Sequence, residues 1–204
     1  MAEKGENTRA RIVAAAEALI LSKGYAGATV DDVLAATGLT KGAFFHHFKS
    51  KADLARAVVE AYAETDFALF ERWSKEADAA TDDPYERVIH FLKSFERYLD
   101  GLGGPFPGCV FASYTYESRQ FGEDVHAYIR ERLKAWQKLY EKKLAALIAA
   151  RKPRERVSAR QLAEMIVTTI EGGFVMAKAM EDATWLQRQS EQYRRYLKLL
   201  FAGE

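Results

Sequence analysis

The chain has 204 residues, 49% of them hydrophobic, with a net charge of +1 at pH 7 and a single cysteine. That length and apolar content can build one sizeable core or two small ones, and the near-neutral balance excludes a general polycation, so any affinity for nucleic acid must rest on a local basic patch. Lone Cys109 excludes an intramolecular disulfide framework and a multi-cysteine zinc site.

The opening MAEKGENTRAR lacks the apolar core of a secretory signal, and no apolar run is long enough for a bilayer, so a soluble cytoplasmic protein with no membrane partner is expected. Residues 1–7 are polar and expected to be loose. Ile12, Ala15, Ala16, Leu19 and Ile20 then predict an amphipathic helix that stops at Lys23-Gly24. Thr29 is suited to cap a second helix from Val30, with Asp32 three residues on and Val30, Val33 and Leu34 on one apolar face. Gly38 supplies the backbone freedom for a sharp turn. Thr40 caps a third helix in which Phe44 and Phe48 share a side. The other side offers Lys41, Gly42, Ala43, Phe45 and His47, with no acid to repel a polyphosphate. Ser50 caps a fourth helix, with Lys51 in the first turn where the helix dipole favours acids, and a bound phosphate would account for it. Residues 40–56 carry Lys41, Lys49, Lys51 and Arg56 against Asp53 alone, besides His46 and His47. Two short helices joined by a tight turn, the second free of carboxylates, make a helix-turn-helix layout, which sets a helix in the DNA major groove.

The fourth helix runs by its apolar spacing to about Ala77 and is broken by Asp82-Asp83-Pro84. Val88, Phe91, Leu92, Phe95 and Leu99 mark the next, which ends in a Gly/Pro-rich loop from Gly101 to Gly108. Val110 to about Gln120 reads as helical, and Val125 to Leu147 as a long amphipathic helix. Ser158 with Gln161, and Thr184 with Gln187, fit capping boxes that open two further helices. The expected fold is all-α with about nine helices: a three-helix head over residues 1–50 and a larger helical body over 51–204. The helix from Ser50 joins the two without a flexible linker.

On the last two helices, Leu162, Ile166, Thr169, Ile170, Gly173 and Ala177, then Leu186, Gln189, Tyr193, Tyr196, Leu197 and Leu200, recur at helical spacing. These stripes are expected to form a homodimer. Gly172-Gly173 in mid-helix costs about 1 kcal/mol per glycine relative to alanine, so a partner helix, an intrachain helix or a ligand must approach there. The body is rich in aromatics, among them Phe67, Phe70, Trp73, Phe95, Tyr98, Phe111, Tyr114 and Trp136. Such stripes ordinarily fill a bundle, and they also line apolar ligand cavities.

No metal site and no cofactor are expected: of His46, His47, His90 and His126, the adjacent pair point about 100° apart on a helix and cannot both face one ion. Cys109 beside Val110 and Phe111 reads as a small buried residue without a resolving partner. No Gly-rich phosphate loop, Gly-x-Ser-x-Gly elbow or Cys/His pairing points to an enzyme.

The stretch from Arg9 to Ala57, and above all the run KGYAGATVDDVLAATGLTKGAFFHHFKSKADL, resembles the N-terminal domain of TetR-type (tetracycline-repressor-like) transcription regulators. The resemblance implies DNA contacts from Thr40, Lys41, Gly42, Ala43, Phe45, His47 and Lys51; Thr29 and His46 complete the candidate surface. Phe45 stands where the family usually has a tyrosine whose hydroxyl reaches a phosphate. The resemblance further implies an effector held between helices of the body, lined here by the eight aromatics named above. The expectation is a dimeric one-component regulator, a repressor released from double-stranded operator DNA by a small apolar or aromatic effector. Two alternatives stand beside it: a helix-turn-helix protein without an effector, architectural or partner-controlled, and an enzyme or carrier whose head serves protein contacts.

Overall fold

The computed structural model of the chain describes residues 2–102 and 108–202. Among them are nine α-helices, one 3-10 turn and no strand. In chain order they are α1 (Ala2–Gly27), α2 (Val30–Thr37), α3 (Lys41–His47), α4 (Lys51–Ala80), α5 (Pro84–Gly101), α6 (Val110–Tyr116), the 3-10 turn Ser118–Gln120, α7 (Glu123–Ala150), α8 (Ala159–Ala179) and α9 (Thr184–Phe201).

The chain divides into two compact units, Met1–Asp66 with Pro107–Arg130, and Phe67–Phe106 with Glu131–Glu204. This differs from a boundary at residue 50, for a packing reason. Three short helices bury little by themselves. In the first unit Leu54, Ala55 and Val58 of α4 and Val110, Phe111 and Tyr114 of α6 are buried along with Ile12, Ala16 and Ile20 of α1, Val33 of α2, Phe44 and Phe48. The Tyr114 hydroxyl donates to the Ala55 carbonyl oxygen at 2.9 Å, which satisfies the one polar atom of a fully buried ring.

In the second unit Phe70 of α4 is the hub of an aromatic cluster. It stacks on Trp136 at 5.6 Å and 18° and meets Phe91 and Tyr140 edge-on. Trp73 packs on Phe95 and Tyr98. α8 and α9 pack against each other, and the Tyr193 hydroxyl donates to the Leu162 carbonyl oxygen across the pair at 2.9 Å. The buried charges of this unit are paired, as burial in a low dielectric requires. The Glu96 carboxylate accepts from Ser190 Oγ at 2.8 Å and Arg194 Nε at 2.7 Å, and the Lys143 ammonium meets Asp78 at 2.7 Å.

Several local expectations are corrected. α1 begins at Ala2, so the opening expected to be loose has a helical backbone. Gly24, at φ 78 and ψ 165, breaks the regular helix where the stop was expected, and a short helical stretch continues beyond it to Gly27. α4 continues to Ala80, and Asp83 caps α5 by accepting from the Tyr85 N–H at 3.0 Å, with Pro84 at the first position. The helix after Val110 stops at Tyr116 and a separate 3-10 turn follows. Thr184 does not cap α9; the Asp182 carboxylate takes the Thr184 N–H at 3.0 Å and is itself held by Arg188. A carboxylate is the stronger acceptor. Of the expected Gly/Pro-rich loop, Gly101 ends α5 and residues 103–107 lie outside the described residues.

Candidate nucleic-acid interface

Local chemistry fixes the ends of α2. Thr29 and Asp32 form a reciprocal capping box, with the Asp32 N–H on Thr29 Oγ1 at 3.1 Å and the Thr29 N–H on Asp32 Oδ2 at 2.8 Å. The Lys23 ammonium, 2.8 Å from Asp32, and the Thr29 donors hold the Asp32 carboxyl far below the usual carboxylate range. Gly38 closes α2 in the left-handed region, φ 67 and ψ 20, with its N–H on the Leu34 carbonyl oxygen. A residue with a Cβ is strained there.

Thr40 then caps α3 by accepting from the Ala43 N–H at 3.2 Å. Phe44 and Phe48, at 0% and 2% exposure, anchor α3 in the core. Lys41, Gly42, Phe45 and His46 are exposed on it, and Ala43 and His47 are half-buried. Phe45 is 47% exposed, a large apolar ring presented to solvent. A Cβ added at Gly42 would meet nothing within 4 Å, so the face there is open. Ser50 caps α4 through the Asp53 N–H at 3.1 Å, and the Asp53 carboxylate returns to the Lys49 N–H at 2.9 Å.

Lys51 has an intramolecular explanation that spacing did not reveal. Its ammonium donates to the Tyr25 carbonyl oxygen at 2.6 Å and to that of Ala26 at 3.4 Å, and lies 4.2 Å from the centre of the Tyr25 ring. Burial pushes its pKa down, against the raising influence of Glu117 and Asp32. An ammonium has three donors, so one remains beyond the two carbonyls.

The residues expected to pair two copies are mostly turned inward. Leu162, Ile166, Ile170, Gly173 and Ala177 of α8 and Leu186, Tyr193, Leu197 and Leu200 of α9 are buried within the protomer and cannot also face a partner. Thr169 and Gln189 are half-buried, and Tyr196 is exposed. The two mid-helix glycines separate: a Cβ on Gly173 would come within 2.6 Å of Leu186 Cδ1 and 3.2 Å of Leu186 Cα, whereas one on Gly172 meets nothing within 4 Å. Gly173 therefore serves the α8–α9 contact inside the chain. The outward face of α8 carries Met165, Gly172, Val175 and Met176, with Met180 at its C-cap, all exposed. α8 is thus apolar on two sides, the outward set lying about one residue out of phase with the inward one.

The eight aromatics expected around one effector divide as well. Phe70, Trp73, Phe95, Tyr98 and Trp136 come together in the second unit, and Phe67, half-buried, belongs to the same unit. Phe111 and Tyr114 belong to the first unit, where they pack on Tyr62 and on Tyr25 and Phe121. They are core of the head, not part of that cluster.

A capped α2, a left-handed glycine turn and an α3 anchored by two phenylalanines, with an acid-free outer face, define a helix-turn-helix DNA-binding protein. Residues 12–58 match the family model of bacterial regulatory proteins of the tetR family, and residues 84–193 that of the tetracyclin repressor-like C-terminal domain. The chain belongs to the TetR family of transcriptional regulators, and is thus a regulator and not an enzyme. It is similar to the HTH-type transcriptional repressor DhaR of Mycobacterium sp. (strain GP1), 22% identical over 95% of this chain and 90% of the relative. Among solved structures it is similar to a TetR transcriptional regulator from Chloroflexus aurantiacus J-10-FL, 31% identical with a TM-score of 0.80, covering 97% of this chain and 98% of the other. A TetR-family regulator from Agrobacterium tumefaciens shares the fold at a TM-score of 0.80 and 23% identity, over 97% of this chain and 100% of that one. No helix among the described residues is long and apolar enough to cross a membrane.

Proposed function

We propose that this regulator acts in the cytoplasm as a homodimeric repressor that leaves its operator on binding a small apolar or aromatic effector. Lys41, Gly42, Ala43, Phe45, His46 and His47 would meet the major groove, with Thr29, Thr40 and Lys51 at the flanking phosphates. The observation that carries the release step is the continuity of α4 from Lys51 to Ala80. One unbroken helix bears Lys51 in its first turn and Phe70 and Trp73 in its second half. A ligand that parts the aromatic cluster must shift Phe70 and Trp73, and a tilt of their helix also moves Lys51. In a dimer the same tilt on both sides changes the spacing of two recognition helices that must fit half-sites a helical turn or more apart. Coupling of about 3 kcal/mol would lower operator affinity about 150-fold.

Pairing is supported by the outward α8 face, where exposed Met165, Val175 and Met176, with Met180 at the C-cap, flank the open Gly172. A helix apolar on two sides buries one in its own chain and offers the other to a second. A second reading, a DNA-binding regulator without an effector, is favoured by the direct ring-to-ring contacts of the aromatic cluster, which a ligand would have to break. Calorimetric titration of candidate aromatic ligands with and without operator decides between them. Linkage is reciprocal, so an effector that weakens DNA binding must itself bind more weakly in the presence of DNA. Equal affinity in both titrations removes the release mechanism for that ligand, and no binder in a broad aromatic set favours the second reading.

A further inference from the structure

Two arginines of α1 lie outside the helix-turn-helix yet end beside it. Arg11 Nη2 donates to the carbonyl oxygen of Thr37, the last residue of α2 and the one before the Gly38 turn, at 2.9 Å. The Arg9 guanidinium carbon lies 5.1 Å from the centre of the Phe48 ring, at the C-cap of α3. One cation from α1 thus stands at the turn that leads into α3 and another where α3 ends.

Neither guanidinium meets a carboxylate among the described residues, in contrast to the exposed arginines Arg130, Arg160 and Arg188, which pair with Glu123, Glu164 and Asp182. Two acids of the motif are already engaged, and Asp31 of α2 is exposed. Asp32 is held by Lys23 and Thr29, and Asp53 by the Lys49 N–H. Arg9, Arg11, Lys41 and Lys49 enter no ion pair among the described residues, so four cations around α3 are without a bound carboxylate there. A guanidinium has five donors in a planar fork, and Arg11 spends one on Thr37. A row of phosphates supplies the missing counter-charge, and a bidentate fork matches its geometry.

We propose that Arg9 and Arg11 contact the phosphate backbone of DNA and extend the interface from the helix-turn-helix onto α1. This inference rests on the DNA-binding reading and goes beyond the motif, whose contacts come from α2, α3 and the start of α4. Each phosphate contact contributes about 0.9 to the slope of log affinity against log salt on duplex DNA.

Fluorescence anisotropy on a mixed-sequence DNA duplex across a range of salt concentrations tests it with the full chain. Arg9→Gln and Arg11→Gln should each flatten the slope by about 0.9, while Lys138→Gln, an exposed cation on α7, leaves it unchanged. Arg11→Gln also removes the Thr37 contact; if it lowers the thermal midpoint, Arg9→Gln decides, because that guanidinium rests on a ring and bonds no backbone group that a fold requires. A wild-type slope in a stable Arg9→Gln overturns the proposal. A wild-type protein whose binding shows no salt dependence overturns the DNA-binding surface itself, a separate and distinguishable failure.

Discussion

The carboxylate of Glu117 stands 2.7 Å from the backbone nitrogen of Tyr25, a residue 92 positions earlier in the chain. Its second oxygen accepts from the Ala26 N–H, also at 2.7 Å. The kink at Gly24 turns these two N–H groups out of the helix ladder and leaves them to be satisfied from outside. A Cβ at Gly24 would lie 2.6 Å from Glu117 Oε1, so the absence of a side chain there is what admits the carboxylate. The same stretch is held from its other side, since the Lys51 ammonium binds the Tyr25 and Ala26 carbonyl oxygens.

Glu117→Ala should therefore leave two amides unpaired and destabilise the first unit by about 1–3 kcal/mol. Urea unfolding measures it. Gly24→Ala should be at least as damaging, because it combines positive φ with a clash against Glu117. A Glu117→Ala midpoint equal to wild type would show that water replaces the carboxylate without loss.

On the DNA face, Gly42→Glu separates folding from binding. The open space at Gly42 lets the variant fold, and the new carboxylate faces the phosphates. Affinity for an operator recovered by selection should fall by about 3 kcal/mol, roughly 150-fold, from like-charge repulsion. Lys41→Ala and His47→Ala should instead cost about 1–3 kcal/mol at particular base pairs. Lys51→Ala should weaken all sequences alike and also lower the thermal midpoint, because it strips a donor from two carbonyls. Normal operator binding by folded Gly42→Glu would refute the docking face.

For assembly, the two sides of α8 predict different failures. Met176→Arg, on the outward face, should yield a folded monomer by light scattering at micromolar concentration. Ile170→Arg, at 8% exposure, should unfold the protomer, because it buries a charge with no partner. A dimeric Met176→Arg protein would move the interface elsewhere.

Glu17 on α1 is half-buried with no cation paired to it among the described residues, and burial raises its pKa above the usual value. The folded state then binds the proton more tightly than the unfolded state, so this group lowers stability as pH rises through the window above the ordinary glutamate value. Glu17→Gln should raise the thermal midpoint at pH 7, and the gain should shrink as the pH falls below that window. A gain that grew on acidification would contradict the burial argument.

The features legible in the residues alone are short-range ones. The Thr29–Asp32 box, the Gly38 turn, the Thr40 cap and the Ser158–Gln161 box each join groups within a few positions, so their geometry follows from helix dimensions and needs no knowledge of the rest of the chain. The inward pair Phe44 and Phe48 was readable for the same reason, since residues four apart on a helix share one side. Where a helix is apolar on two sides, periodicity does not say which side is inner. That is why α8 presents Met165, Val175 and Met176 outward and keeps Leu162, Ile166 and Ile170 for α9. The choice was made by Gly173, whose missing side chain lets Leu186 approach, and by Tyr193, whose hydroxyl needs the Leu162 carbonyl. Composition likewise could not separate Phe111 and Tyr114 from Phe70 and Trp136, nor aim Lys51 at Tyr25. These contacts join residues far apart in sequence, and only the packing of whole helices selects them from the many pairs the same side chains could form.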